Sequence, residues 1–231
     1  MPVRTRILLA VLALVAGTAL AACGSTQNDP STTTPLTFTA TVDVPTTTVP
    51  SPTSTSYIGP QGVAIQTGPF LATAATTPLG EVVDRIQCQG LRQLAYTAYV
   101  HLQVYVQGHA RAIPGGIGLV DPTAAATNKG LVFTPQTCYY WLHTRAADGL
   151  VQVESPTDRV YTLGDFFKVW GQPLSQDRVA GSKGRVTAIV DGKLWTGNPQ
   201  LIRLREHESI ELAVGRPVPA FRALDWTGTG Y

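Results

Sequence analysis

The chain has 231 residues, 44% of them hydrophobic and 14% charged, with a formal net charge of +2. From Arg85 onward there are 15 Lys+Arg and 11 Asp+Glu, a net of +4 with no basic cluster or stripe, which argues against nucleic acid as a partner. About 150 residues follow Gly80, enough for one domain with a buried core.

The N-terminus has the three parts of a secretory signal. Arg4 and Arg6 supply the positive start, and Ile7 to Ala22 is an unbroken apolar and small-residue run. That run is shorter than the ~20 residues a membrane-spanning helix needs. No Lys or Arg follows it before Arg85, so the positive charge lies on one side only. Leu20-Ala21-Ala22-Cys23, followed by Gly24 and Ser25, resembles the lipobox of bacterial lipoprotein precursors. The resemblance implies cleavage between Ala22 and Cys23, and a thioether from the Cys23 thiol to diacylglycerol, with residues 1–22 removed as signal peptide. Small side chains let a peptidase reach the backbone, and the thiol is the strong nucleophile that the thioether needs. Two or more acyl chains of palmitate type, at ~0.8 kcal/mol per buried methylene, make a stable anchor. The expected location is the cell membrane, facing outside the cytoplasm. The alternative is an ordinary secretory signal whose cleavage site happens to precede a cysteine.

Residues 23–57 read as a disordered Thr/Pro/Ser-rich tether, as in Pro45-Thr46-Thr47-Thr48-Val49-Pro50-Ser51-Pro52. Such a segment buries too little apolar surface to offset its ordering entropy. Extended as polyproline II at ~3.1 Å per residue, residues 24–56 would reach ~100 Å. Its threonines are candidate O-glycosylation sites by composition. Residues 58–84 read as a weakly structured lead-in, and 85–231 as the globular domain.

With Cys23 assigned to lipid, Cys88 and Cys138 remain as an even pair in an oxidising compartment, which favours a disulfide. Two buried free thiols or a metal pair are the alternatives. A bridge across that separation would add roughly 4 kcal/mol by chain entropy.

The domain is expected to be α+β: strand-rich, with hairpins and one short helix. Tyr99 to Val106 alternates, with Val100, Leu102, Val104 and Val106 on one face and Tyr99, His101, Gln103 and Tyr105 on the other. Gln107-Gly108-His109 reads as a hairpin turn into Ala110 to Ile113, closed by Pro114-Gly115-Gly116. Cys138 to Thr144 is an aromatic strand candidate, and Asp148-Gly149 turns the chain into a strand from Leu150 to Glu154. Thr162, with Asp165 three residues on, is an N-cap for a helix over Leu163 to Trp170, which Gly171 and Pro173 end. Arg185 to Val190, the Asp191-Gly192 turn, Lys193 to Trp195 and Ser209 to Val214 form a second strand group. The two strand–turn–strand pieces look alike around Gly108 and Gly192, read as two hairpins sharing a turn glycine ahead of an internal repeat.

Several stretches resemble a set of uncharacterised bacterial exported proteins, often actinobacterial and often lipoproteins. They are His101 to Gly108, Tyr140 to Thr144, Val153 to Pro156, Thr162 to Phe167 with Trp170-Gly171, Val190 to Lys193, and His207-Glu208. The resemblance implies a domain and no established activity. The family's first strand reads like H-x-H-x-H and its second block like L-H-T-H-D, and such alternating imidazoles can share one copper or zinc ion. Here the corresponding positions are Thr97, Tyr99 and His101, then Leu142-His143-Thr144-Arg145-Ala146. His101 and His143 remain, and two histidines are too few for a typical zinc or copper site unless Glu154, His207 or the cysteine pair contributes; Arg145 puts a positive charge where a ligand would stand. The plainer expectation is two half-buried strand histidines packed beside Tyr99, Tyr105, Tyr139 and Trp141, with no cofactor. His109 reads as a solvated turn residue, and His207, between Glu206 and Glu208, as part of a polar loop or strand start.

Catalytic signatures are missing from the sequence. Ser155, Ser175, Ser182 and Ser209 sit in no nucleophile-elbow context, and there is no H-E-x-x-H, P-loop or G-x-G-x-x-G. Gly115-Gly116-Ile117-Gly118 has no helix pattern after it for cradling phosphate. Glu154 and Asp158 lie close, but their spacing does not set them above chance as a glycosidase pair. Three classes follow. The preferred one is a non-catalytic surface module that meets an envelope protein, peptidoglycan or a small ligand, with Tyr139, Tyr140, Trp141, Trp170 and Trp195 as candidate surface aromatics. The second is a metal-binding lipoprotein using His101 and His143, and the third an envelope hydrolase.

Overall fold

The longest alternating run in the sequence becomes the longest strand, and the sheet is assembled around it. The computed structural model describes residues 57–231; the expected signal peptide, Cys23 and the Thr/Pro/Ser-rich segment up to residue 56 lie outside the described residues. In chain order the strands are β1 (Cys88–Gln89), β2 (Tyr96–Val106), β3 (His109–Arg111), β4 (Pro122–Thr127), β5 (Gly130–Pro135), β6 (Tyr139–Tyr140), β7 (Leu142–His143) and β8 (Leu150–Ser155). Helix α1 (Leu163–Trp170) follows, then β9 (Leu174–Ser175), β10 (Arg178–Val179), β11 (Ser182–Lys183), β12 (Val186–Val190), β13 (Lys193–Trp195) and β14 (Ser209–Val214). The described residues are thus strand-rich with one α-helix, in keeping with the α+β expectation.

The main sheet runs β13-β12-β14-β2-β8-β7, with β3 also on β2. All its pairs are antiparallel except β14 and β2, which are parallel with Ser209 opposite His101 and Val214 opposite Val106. One edge of β2 serves two partners: its first half pairs with β8 and its end with β3. The strand starts at Tyr96, three residues before the expected Tyr99, because Tyr96 to Ala98 find Ser155 to Val153 on β8. Both anticipated hairpin turns use positive φ at two residues, Gln107-Gly108 and Asp191-Gly192, the backbone a tight two-residue hairpin requires.

One face of this sheet is the core. Ala98, Val100, Leu102 and Val104 of β2, Val151 and Val153 of β8, and Ile210, Leu212 and Val214 of β14 are all buried, together with Phe166, Phe167, Val169 and Trp170 of α1. The helix starts where expected: Thr162 Oγ1 accepts from Asp165 N and the Asp165 side chain accepts from Thr162 N, a complete capping box. Gly171 ends it at φ 71°, its N–H returned to the Phe167 and Lys168 carbonyls.

Cys88 and Cys138 are joined by a disulfide, with Cα atoms 5.5 Å apart. The bridge ties β1 to the segment entering β6, and Cys88 pairs with Tyr140 in the same short ladder. The single aromatic strand expected over Cys138 to Thr144 is two short strands, β6 and β7, pairing with β1 and β8 respectively. A hairpin that periodicity did not reveal, β4–β5, projects with every residue of β4 exposed.

Residues 58–84 carry little regular structure, one 3₁₀ turn at Ala74–Thr76 and isolated bridges such as Ile58 to Ala64. Side chains still pin them to the domain. The Trp170 Nε1–H donates to the Thr73 carbonyl at 2.9 Å, and the Tyr140 hydroxyl donates to the Glu81 carbonyl at 2.6 Å. Among the described residues no helix is long and apolar enough to cross a membrane.

Candidate functional site

The second face of the sheet is polar, and it is covered. Alternation sends Tyr99, His101, Gln103 and Tyr105 to this side of β2. Register adds His143 and Gln152 in one row with Tyr99, Glu154 opposite Thr97, and Ser209 and Glu211 opposite His101 and Gln103. His101, His143, Gln152, Glu154, Ser209 and Glu211 are all buried.

Two segments form the cover, both from outside the sheet. On the N-terminal side Gln66 works as a clamp: its Nε2 donates to the Leu102 carbonyl at 2.6 Å, and its Oε1 accepts from Ile113 N at 2.8 Å. The C-terminal segment after β14 is held by Leu224 N donating to Ser209 Oγ at 3.0 Å. Further along, the Trp226 ring stacks on His207 with centroids 4.6 Å apart, and Tyr231 packs on Tyr99 at 4.3 Å. The Tyr231 hydroxyl accepts from Gln61 Nε2 at 2.7 Å, joining the two covering segments.

Between cover and sheet lies a cavity of about 230 Å³. Its lining includes His101, Gln103 and Tyr105 from β2, Arg111 from β3, and Arg222 and Asp225 from the C-terminal segment, with apolar walls from Val63, Ile65 and Leu224. Arg222 and Asp225 are exposed and stand at its rim, whereas His101 is only 5% exposed. Burial lowers the His101 pKa to about 4, against a smaller opposing effect of the Asp148 backbone, so the ring is neutral at pH 7. Burial raises the neighbouring Asp148 carboxyl to about 6 and pushes Glu211 up as well. Glu211 is 1% exposed, and neither of its carboxylate oxygens has a hydrogen-bond partner.

The structure does not bring His101 and His143 to one point. Strand β8 runs between their strands, a separation of about 10 Å at ordinary strand spacing, whereas imidazole nitrogens sharing an ion each sit ~2 Å from it. His143 Nδ1–H donates to the Tyr140 carbonyl at 3.0 Å, and the ring meets Tyr139 edge-on at 5.1 Å. Burial first, then the charge of Arg145, lowers its pKa to about 3. Glu154 is taken by Arg92 at 2.7 Å, and Arg145 Nε donates to Gln152 Oε1 at 3.3 Å. His207 lies beside Glu206 at 3.1 Å, and Cys88 and Cys138 are bonded to each other. Among the described residues no group of three His, Cys, Asp or Glu side chains could hold a metal.

The aromatic candidates divide. Tyr139, Tyr140, Trp141 and Trp170 are buried, while Trp195 lines a surface crevice with Gln176 and Arg185. Of the serines, Ser155 Oγ contacts Tyr161 and Thr157, Ser175 donates to Asp177, and Ser209 accepts from Leu224 N. None of these hydroxyls has a histidine partner, so no nucleophile–base pair forms there. What the sequence did not reveal is Arg111, Arg222 and Asp225, which become neighbours only when the C-terminal segment folds back. No protein-family model matches the chain, and neither the curated proteins nor the solved structures contain a significant match to it.

Proposed function

We propose that this protein is a lipid-anchored extracytoplasmic binding module, non-catalytic, that captures a small polar ligand in the cavity above the polar face of its sheet. The cavity is the observation that carries this reading. It has the attributes of a small-molecule site: apolar walls, a few convergent polar groups, and a wall built from separate segments of chain. At about 230 Å³ it lies below the usual ~300–1,000 Å³ range for ligand pockets, which limits the occupant to a few heavy atoms. Leu20-Ala21-Ala22-Cys23 and the Thr/Pro/Ser-rich segment after it support anchoring at Cys23 and presentation away from the membrane. The disulfide agrees with an oxidising compartment.

Two measurements test this. Full-length protein expressed in a bacterial host with lipoprotein-processing enzymes is expected to take up a labelled palmitate analogue and sediment with membranes. Cys23→Ala should do neither. Unlabelled wild-type protein in the soluble fraction overturns the anchor. For the binding reading, the imidazole NMR signals of His101 should move when fragment mixtures are added to the purified full-length chain in detergent.

A further inference from the structure

The charges around the cavity specify more than a polar ligand. Arg111, Arg222 and Asp225 line the space, and none of them makes an ion pair among the described residues, although Arg222 and Asp225 are three positions apart on one segment. Asp225 Oδ1 instead accepts from Thr227 N at 2.9 Å, which fixes the carboxylate without neutralising it. The Asp225 carboxylate at the rim is matched by a cationic group. Guanidinium groups, in turn, are matched in geometry to a carboxylate. Charges of both signs therefore border one small space whose walls also include the apolar Val63, Ile65 and Leu224.

We propose that the cavity takes a small zwitterion of the free amino-acid class, its carboxylate on Arg111 and Arg222 and its ammonium toward Asp225. This rests on the cavity being a binding site. The neutral His101 ring and Gln103 offer hydrogen bonds without adding charge, so the balance of signs is left to Arg111, Arg222 and Asp225. The apolar walls favour a short aliphatic side chain.

The test uses the full-length chain in detergent with three probes: L-alanine, propionate, which has the carboxylate alone, and alaninamide, which has the ammonium alone. Titration calorimetry is expected to show saturable alanine binding, with propionate and alaninamide at least about tenfold weaker. Arg222→Gln and Asp225→Asn, both at exposed positions that spare the core, should each weaken alanine by about the same factor. Asp225→Asn should leave propionate unchanged. If propionate binds as tightly as alanine and Asp225→Asn has no effect, the zwitterion assignment is overturned while the binding site stands. Movement of the His101 signals by fragments of another class, with no response to the three probes, overturns the assignment in the same way. If neither the probes nor any fragment moves them, both the assignment and the binding reading fail.

Discussion

Gln152 stands opposite His143 across the β7–β8 pair, and each side chain keeps one nitrogen, Nε2 in both cases, without a hydrogen-bond partner. The other ring nitrogen of His143 donates to Tyr140, and the amide oxygen of Gln152 accepts from Arg145. The histidine is thus held as a neutral structural residue beside a fixed positive charge. This arrangement makes stability depend on pH.

His143 has a pKa of about 3 and His101 of about 4 in the fold, against 6.5 for an ordinary histidine. The unfolded chain therefore binds more protons below pH 6.5, and stability contributed by neutral burial is full above that pH and falls as pH decreases. Each histidine costs about 1.4 kcal/mol per pH unit within its window. Asp148, raised to about 6, acts oppositely and offsets part of the loss below pH 6. The clean measurement is a difference. His143→Asn keeps a donor for Tyr140 but cannot titrate, so its stability–pH slope between pH 6 and 4 should be shallower by one proton. An unchanged slope in urea titrations would show that His143 is already charged in the fold.

The disulfide gives a larger effect. Cys88 and Cys138 close a loop with a sequence separation of 50, and opening it frees the unfolded chain by roughly 4 kcal/mol. A Cys88→Ser/Cys138→Ser double variant should denature at a clearly lower urea concentration than the oxidised wild type. Wild type in reductant should match the variant.

Thr162→Ala removes one half of the capping box on α1 and is expected to cost about 1 kcal/mol. Because α1 supplies Phe166, Phe167 and Trp170 to the core, the loss should appear in the global transition monitored by tryptophan fluorescence. A change below a few tenths of a kcal/mol would mean that core packing alone sets the helix start.

Gly149→Ala tests the N-terminal clamp. Gly149 has φ 77°, and a Cβ there would lie 2.5 Å from the Leu102 carbonyl and collide with the Gln66 amide. The substitution should cost about 1–3 kcal/mol and detach residues near Gln66. Limited proteolysis should then cut between 57 and 67 faster than in wild type; equal cutting rates would show that Gln66 is not what holds this segment.

Much of the sheet is legible from the sequence because its rules are local. The alternation of Val100, Leu102 and Val104, the glycines at 108 and 192, and the Thr162–Asp165 spacing each fix a strand, turn or helix within a few residues. The β4–β5 hairpin is not legible in the same way. Ala124, Ala125 and Ala126 favour helix intrinsically, and they become strand only through pairing with Phe133, Val132 and Leu131. The cavity is harder still. Arg111 and Arg222 share no spacing rule, and the segment that brings them together has no regular element of its own. His101 and His143 are recognisable as strand residues of like orientation, but only the strand order shows that β8 separates them.

The parallel pairing of β2 with β14 also dictates when the fold can close. Residues 101–106 bond to residues 209–214, so the middle of the sheet waits until about a hundred further residues have been made. Until then the hairpin β2–β3 and strand β8 can gather on one edge of β2, while its other edge stays open to any passing strand. Such distant pairing slows folding and lengthens exposure to aggregation. A chain truncated before Ser209 would lack the strand that joins the two halves of the sheet, and so would remain stalled short of its native state.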